Sequence, residues 1–193
     1  MKILFSRYAT GAGVATGLVN TSAHVRTDIG EVLTGPAELT AFLAEHDVRL
    51  DALPPGTPPT DHDLTQVLAL REETRGLLEA ATEQEVAEGA NRLAARATSG
   101  LSLLRDADGH WQWHVTTAPG ASAADELAAL VGTGLLGVLH TLSHDRFRPC
   151  ASPTCTGLFV DTSKAGRRRY CIPHLCGNRL NVAKHRARQQ AAE

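Results

Sequence analysis

The sequence predicts an α+β fold, mostly helical, in which a helical N-terminal domain with a β-hairpin precedes a small module ending in a basic helix. Three observations predict it. Apolar residues recur at helical spacing through most of the stretch from Pro36 to Ser143. Two strand-like runs flank the turn Asp106-Ala107-Asp108-Gly109. All four cysteines, Cys150, Cys155, Cys171 and Cys176, fall in the last quarter of the 193 residues as two C-x4-C pairs with fifteen residues between them. A pair at each end of a short segment is what a tetrahedral Zn2+ site needs, because each pair folds into a turn that aims two sulfurs at one point. The expected division is a helical domain at 1–146 and a zinc-binding module at 147–193.

Taken in order, the stretch through Thr34 is poorly periodic, with Leu18-Val19-Asn20-Thr21 as a short strand running into a loop. Gly11-Ala12-Gly13 lacks the further glycine or lysine that a phosphate loop requires. Pro36 suits a first helical position, and Leu39, Phe42 and Leu43 make one stripe, so a helix covers roughly 36–47. Pro54-Pro55-Gly56-Thr57-Pro58-Pro59 is a stiff connector. Thr60 caps the next helix, which carries Leu64, Val67, Leu68, Leu77 and Leu78 toward Ala81. Thr82-Glu83-Gln84-Glu85 is a capping box, and the helix behind it shows Val86, Ala90, Leu93, Ala94 and Ala97. Leu101–Arg105 and His110–Thr116 form the hairpin, with Trp111 and Trp113 on one face. A long apolar helix then runs from about Ala123 to Ser143 and leads into Arg148 and Cys150.

A formal net charge of −2 hides two opposed halves. From Phe147 onward there are nine Lys/Arg against Asp161 and Glu193, a net +7; the preceding residues carry ten against nineteen, a net −9. Four thiolates with one Zn2+ add −2 and leave the module basic. Such a split implies an acidic body with a basic working end. No apolar run approaches the roughly 18–20 residues of a membrane span, and the opening Met1-Lys2-Ile3-Leu4-Phe5 is too short for a signal peptide. The expectation is a cytoplasmic chain whose thiols stay reduced, which favours a metal over two disulfides. His174, three residues past Cys171, stands as an alternative ligand, and unligated thiols as an alternative to any site. Leu158, Phe159, Tyr170 and Ile172 are the expected core of a module too small to fold without metal.

Read as a unit, the run from Cys150 through Cys155, Phe159, Asp161 and Ser163, then Arg167-Arg168-Arg169-Tyr170-Cys171, then Cys176-Gly177-Asn178-Arg179, closely resembles the CGNR zinc-finger family. The tetrapeptide that names the family is intact at Cys176–Arg179. The preceding part is similar to that family's usual partner, the ABATE domain of stress-induced transcription regulators, through Leu18-Val19-Asn20-Thr21 and Leu70-Arg71-Glu72. The resemblance implies a bacterial, DNA-binding regulator whose N-terminal domain senses an unknown ligand, such as a small-molecule effector, or dimerises.

The residues themselves support nucleic-acid contact. Asn178 is a candidate N-cap of a terminal helix whose thin apolar stripe is Leu180, Ala183, Ala187 and Ala191. Arg179 and Arg186 flank the stripe on one side, and Asn181, Lys184 and Arg188 on the other. With Arg167, Arg168 and Arg169 they are the candidate contacts to double-stranded DNA, and Arg179 and Asn181 the candidates for reading bases. A homodimer through the helical body would double those contacts on a two-fold site. A zinc-finger adaptor that docks an acidic protein surface without binding DNA is the alternative. Asn20 and Arg71 are candidates for a ligand pocket, Arg71 because a guanidinium in an apolar helix needs an anionic or polar partner. No catalytic constellation emerges. His140 and His144 lack the intervening glutamate of a hydrolytic zinc motif, and Asp61-His62-Asp63 decorates a helix start. The chain therefore reads as a non-enzyme.

Overall fold

The computed structural model describes residues 1–177. Eleven segments set its frame: β1 (Lys2–Leu4), α1 (Tyr8–Val19), α2 (Pro36–Glu45), α3 (Asp61–Leu78), α4 (Glu83–Ala95), β2 (Thr98–Arg105), β3 (Trp111–Thr117), α5 (Ala123–Thr141), β4 (Phe147–Pro149), β5 (Leu158–Val160) and a π-helical turn (Pro173–Gly177). The result is α+β and mostly helical, as expected.

Helix α5 is the axis of the body. Ser122 caps it by accepting the Asp125 N–H at 3.1 Å, and its apolar residues continue around the whole circumference, which suits a helix packed on all sides. Leu127, Val131, Leu135 and Val138 are fully buried. By length and composition α5 could cross a membrane, but 78% of its most apolar window is buried inside the body. Two glycines two residues apart face opposite sides of it. A Cβ on Gly134 would lie 2.6 Å from the backbone of Gly11 and Ala12 in α1, and one on Gly132 would lie 2.5 Å from Ala90 O and Ala94 N in α4. Both neighbours thus reach backbone contact with α5.

That contact corrects the reading of the N-terminal stretch. Leu18 and Val19 end helix α1 rather than forming a strand, and Asn20 is its C-cap. The sequence Tyr-Ala-Thr-Gly-Ala-Gly-Val-Ala-Thr-Gly-Leu-Val shows no stripe because small residues take up the close approach to α5, and Gly11-Ala12-Gly13 sits mid-helix. Strand β1, unforeseen, pairs antiparallel with β3 in the order β1-β3-β2, placing Ile3 opposite Val115.

The expected starts of α2, α3 and α4 are present. Pro36 opens α2, which buries Leu39, Phe42 and Leu43. Thr60 and Asp63 form a capping box on α3, with Asp63 N donating to Thr60 Oγ1 at 3.2 Å, and Thr82 and Glu85 form the same box on α4. The Met1 ammonium donates to Glu126 Oε1 at 2.8 Å and also contacts Asp51 and Thr117, so the almost fully buried Glu126 carboxylate has a cationic partner.

Candidate metal centre

Strands β4 and β5 pair antiparallel, with Pro149 opposite Leu158, and the turn between them carries two cysteines. Cys150 follows β4 directly, and its N–H extends the ladder to Gly157 O at 2.8 Å. Cys155 closes a tight turn on Ser152 O at 3.1 Å. The chain then passes through a loop, and Ile172 O receives the Leu175 and Cys176 N–H groups at 3.1 and 2.9 Å, winding the turn that returns Cys176 to the first pair.

The four sulfurs converge within 4.8 Å of one another. Cys155 to Cys171 is 3.5 Å, and Cys176 stands 3.7 Å from both. Four sulfurs at about 2.3 Å from one Zn2+ lie about 3.8 Å apart at the corners of a tetrahedron, close to these spacings, whereas a disulfide would need about 2.05 Å. All four cysteines are free. His174 is exposed and outside this group. The other grouping of metal-capable side chains among the described residues is exposed Asp106, Asp108 and His110 at the hairpin tip, where the Asp106 carboxylate already accepts the N–H groups of Asp108 and His110.

The electrostatics fit a cation. Burial pushes the Cys171 thiol far above its ordinary value, with the neighbouring sulfurs adding to it, and burial pushes Cys176 up to about 11. At Cys150 burial also raises the value, but N–H donors from Cys171 and Ser152 outweigh it and the net shift is downward. The Cys171 N–H reaches Cys150 Sγ at 3.5 Å and the Gly157 N–H reaches Cys155 Sγ at 3.3 Å, an outer layer of donors suited to thiolates. Four adjacent thiolates need a divalent cation to coexist, and soft sulfur in a closed tetrahedral set selects Zn2+. When bound, the metal ties the two turns together.

Strand β5 has two differently used sides. Phe159 packs with Val25, Tyr170, Ile172 and the cysteines. Leu158 and Val160 face the other way and join the core of the body. Leu158 is thus not part of a separate module core, as the sequence had implied, because alternation along a strand sends neighbours to opposite faces. Helix α1 supplies the edge that β5 lacks. The Asn20 side-chain amide donates to Leu158 O at 2.6 Å and accepts Leu158 N–H at 3.2 Å, like a strand neighbour. Thr16 Oγ1 accepts the Val160 N–H at 3.0 Å. Beside them Gly157 admits no side chain, since a Cβ would lie 2.4 Å from Cys171 Sγ and 2.5 Å from Asn20 Oδ1.

Asp161, fully buried, organises the loop that carries the arginines. Its carboxylate accepts Ser163 N–H and Oγ–H at 3.0 and 2.5 Å and Arg168 N–H at 2.9 Å. Burial opposes its ionisation, but these donors and nearby Arg148 hold its carboxyl below the ordinary value. Sequence reasoning passed over Asp161; the Asp-x-Ser pattern of an Asx turn was the available signal. The three arginines then separate. Arg167 and Arg169 are exposed, while the half-buried Arg168 turns inward, donates to Tyr170 O at 2.9 Å and to Cys171 O, and stacks 4.9 Å from the Phe159 ring. Asn178, Arg179, Asn181, Lys184, Arg186, Arg188 and the basic helix lie outside the described residues.

The two ligand-pocket candidates have protein partners. Arg71, buried in α3, donates to Glu31 Oε1 at 2.7 Å, Thr21 Oγ1 at 3.2 Å and Glu72 Oε1 at 3.2 Å, so two carboxylates and a hydroxyl of the protein itself meet it. Asn20 lines a cavity of about 530 Å³ between α1, α2 and the segment Cys171–His174, whose walls include Phe42, His46 and Arg168; Arg71 is not among its lining residues.

The family of CGNR zinc fingers matches residues 146–189, and ABATE, described as "Putative stress-induced transcription regulator", matches residues 13–140. A comparison with curated proteins returned no match. The chain belongs to the ABATE family and carries a CGNR zinc finger.

Proposed function

We propose that this protein binds duplex DNA through its zinc module, 147–193, while the body, 1–146, sets when or in what form it does so. The observation that carries this reading is the pair of exposed arginines on a loop held by the contacts of Asp161 and Arg168. Arg167 and Arg169 project from a segment pinned by Asp161, Arg168 and the four-cysteine centre, so two cations are presented with little ordering cost on contact with phosphate. The net −9 of the residues before Phe147 repels the same phosphates and confines contact to this end. Arg179 and Asn181 remain the candidates for base contact, and Lys184, Arg186 and Arg188 for phosphate. The cavity beside Asn20 touches both α1 and the residues following Cys171, which makes it the natural place for a small-molecule effector to couple body and module.

Fluorescence anisotropy of the zinc-loaded full-length protein on labelled duplex, titrated with salt, tests this. Arg167→Ala and Arg169→Ala should each reduce the slope of log K against log salt by about 0.9, with no preference among sequences, and Arg168→Ala should instead lower stability. Absence of duplex binding at low salt sinks the reading and leaves the zinc finger as a protein-docking adaptor.

A further inference from the structure

Among the described residues six large apolar side chains are exposed; four of them lie on one sheet, and Phe5 directly follows its strand β1. The register sets Leu101 opposite Val115, Leu103 opposite Trp113 and Arg105 opposite Trp111, so all of these share one face; Leu4 opposite His114 brings Phe5 to the same end. At the base of this face Ile3 and Val115 are buried in the core. Beyond it the face continues bare: Leu101 is 66% exposed, Leu103 43%, Trp111 56% and Trp113 55%. The Arg105 guanidinium, 4.4 Å from the Trp111 ring, gives that indole a cationic cover.

The backbone beside this face is also unpaired. Strand β2 is the outer strand of the order β1-β3-β2. Asp106 N donates to His110 O at 2.9 Å, and the antiparallel alternation then turns the N–H and C=O of Ser102 and Leu104 toward β3 and those of Leu101 and Leu103 outward. No backbone group among the described residues meets them.

We propose that this edge and face are a homodimer interface in which β2 pairs antiparallel with β2 of a second copy about a two-fold axis at Ser102. That register sets Leu101 against Leu103 of the second copy, and the reverse, so the outward backbone groups bond to each other and the leucines form a continuous apolar ribbon flanked by Trp113 of each copy. It opposes no like charges, because the sole charged residue in Thr98–Arg105 is Arg105, which falls opposite Ser99. Leu101 and Leu103, 66% and 43% exposed in the single copy, meet their counterparts across the axis, and Trp113 borders them one strand further in, while Trp111 continues the same apolar face away from the axis. The self-association placed by sequence in the helical body thereby moves to the hairpin, and it stands apart from the DNA reading because it is measured without DNA.

Sedimentation of the zinc-loaded full-length protein at micromolar concentration should give a dimer. The double variant Leu103→Lys/Trp113→Lys should weaken it by at least about 30-fold with helix content and zinc unchanged. Under mild oxidation Ser102→Cys should cross-link to its counterpart at the axis, whereas Leu104→Cys, set opposite Gly100, should not. If the double variant fails to fold, the cross-linking pair decides alone. A monomeric wild type, a dimer indifferent to the double variant, or equal cross-linking of the two cysteine variants overturns the proposal.

Discussion

Replacing Asn20 by alanine tests the joint between the helical body and the zinc finger. The side chain is 3% exposed and holds three backbone contacts: Thr16 O at 2.6 Å, Leu158 O at 2.6 Å and Leu158 N at 3.2 Å. Thr16 O loses its side-chain donor, since the Asn20 N–H goes to Gly17 O at 3.1 Å, and both backbone groups of buried Leu158 lose their partner. A buried polar group left unsatisfied costs about 1–3 kcal/mol, so the two at Leu158 give an expected loss of about 2–6 kcal/mol in global stability. Asn20→Asp should be at least as damaging, because a carboxylate oxygen would then face Leu158 O. The loss should reach the metal, since Gly157 is wedged between Asn20 Oδ1 and Cys171 Sγ. Denaturant unfolding at fixed free zinc measures the first effect, and the rate of zinc transfer to a chromogenic chelator measures the second. A stability change within about 0.5 kcal/mol together with an unchanged release rate would refute the argument, because that is the range of an ordinary surface substitution.

Metal analysis of untagged protein should give one zinc per chain, and Cys171→Ser should remove it and expose the amides after Phe147 to hydrogen exchange while α4 and α5 stay protected; an ordered, metal-free wild type contradicts this. Asp161, whose folded carboxyl titrates below its unfolded value, contributes stability above the ordinary carboxylate range, and that contribution is lost as pH falls through the folded value. Asp161→Asn should therefore lower stability near neutrality and flatten its acid dependence, read from unfolding midpoints across pH. Gly134→Ala should cost about 1–3 kcal/mol or more by driving α1 off α5, whereas Gly13→Ala, with nothing within 4 Å, should stabilise by about 0.5–1 kcal/mol; thermal melts that rank the two alike would undo the close-packing account.

What the sequence determined by itself is what neighbours along the chain decide. Pro36, Thr60, Asp63, Thr82 and Glu85 act within one turn of their own helices, so the starts of α2, α3 and α4 were legible. The hairpin and the cysteine spacing are equally local; the spacing sufficed for a zinc site, and with Cys176-Gly177-Asn178-Arg179 for the family. What only the tertiary structure decided depends on residues far apart. Helix α1 hides its nature because its glycines and alanines match the backbone of α5, more than a hundred residues away. Strand β1 exists only as a partner of β3. Asn20 acquires its purpose from Leu158, 138 residues on. Of three adjacent arginines, Arg168 turns inward because the carbonyls of Tyr170 and Cys171 and the Phe159 ring lie on its side of an extended segment. Local hydrogen bonds and periodicity are written in consecutive residues, while the neighbours that bury or satisfy a side chain are chosen by the packing of the whole chain.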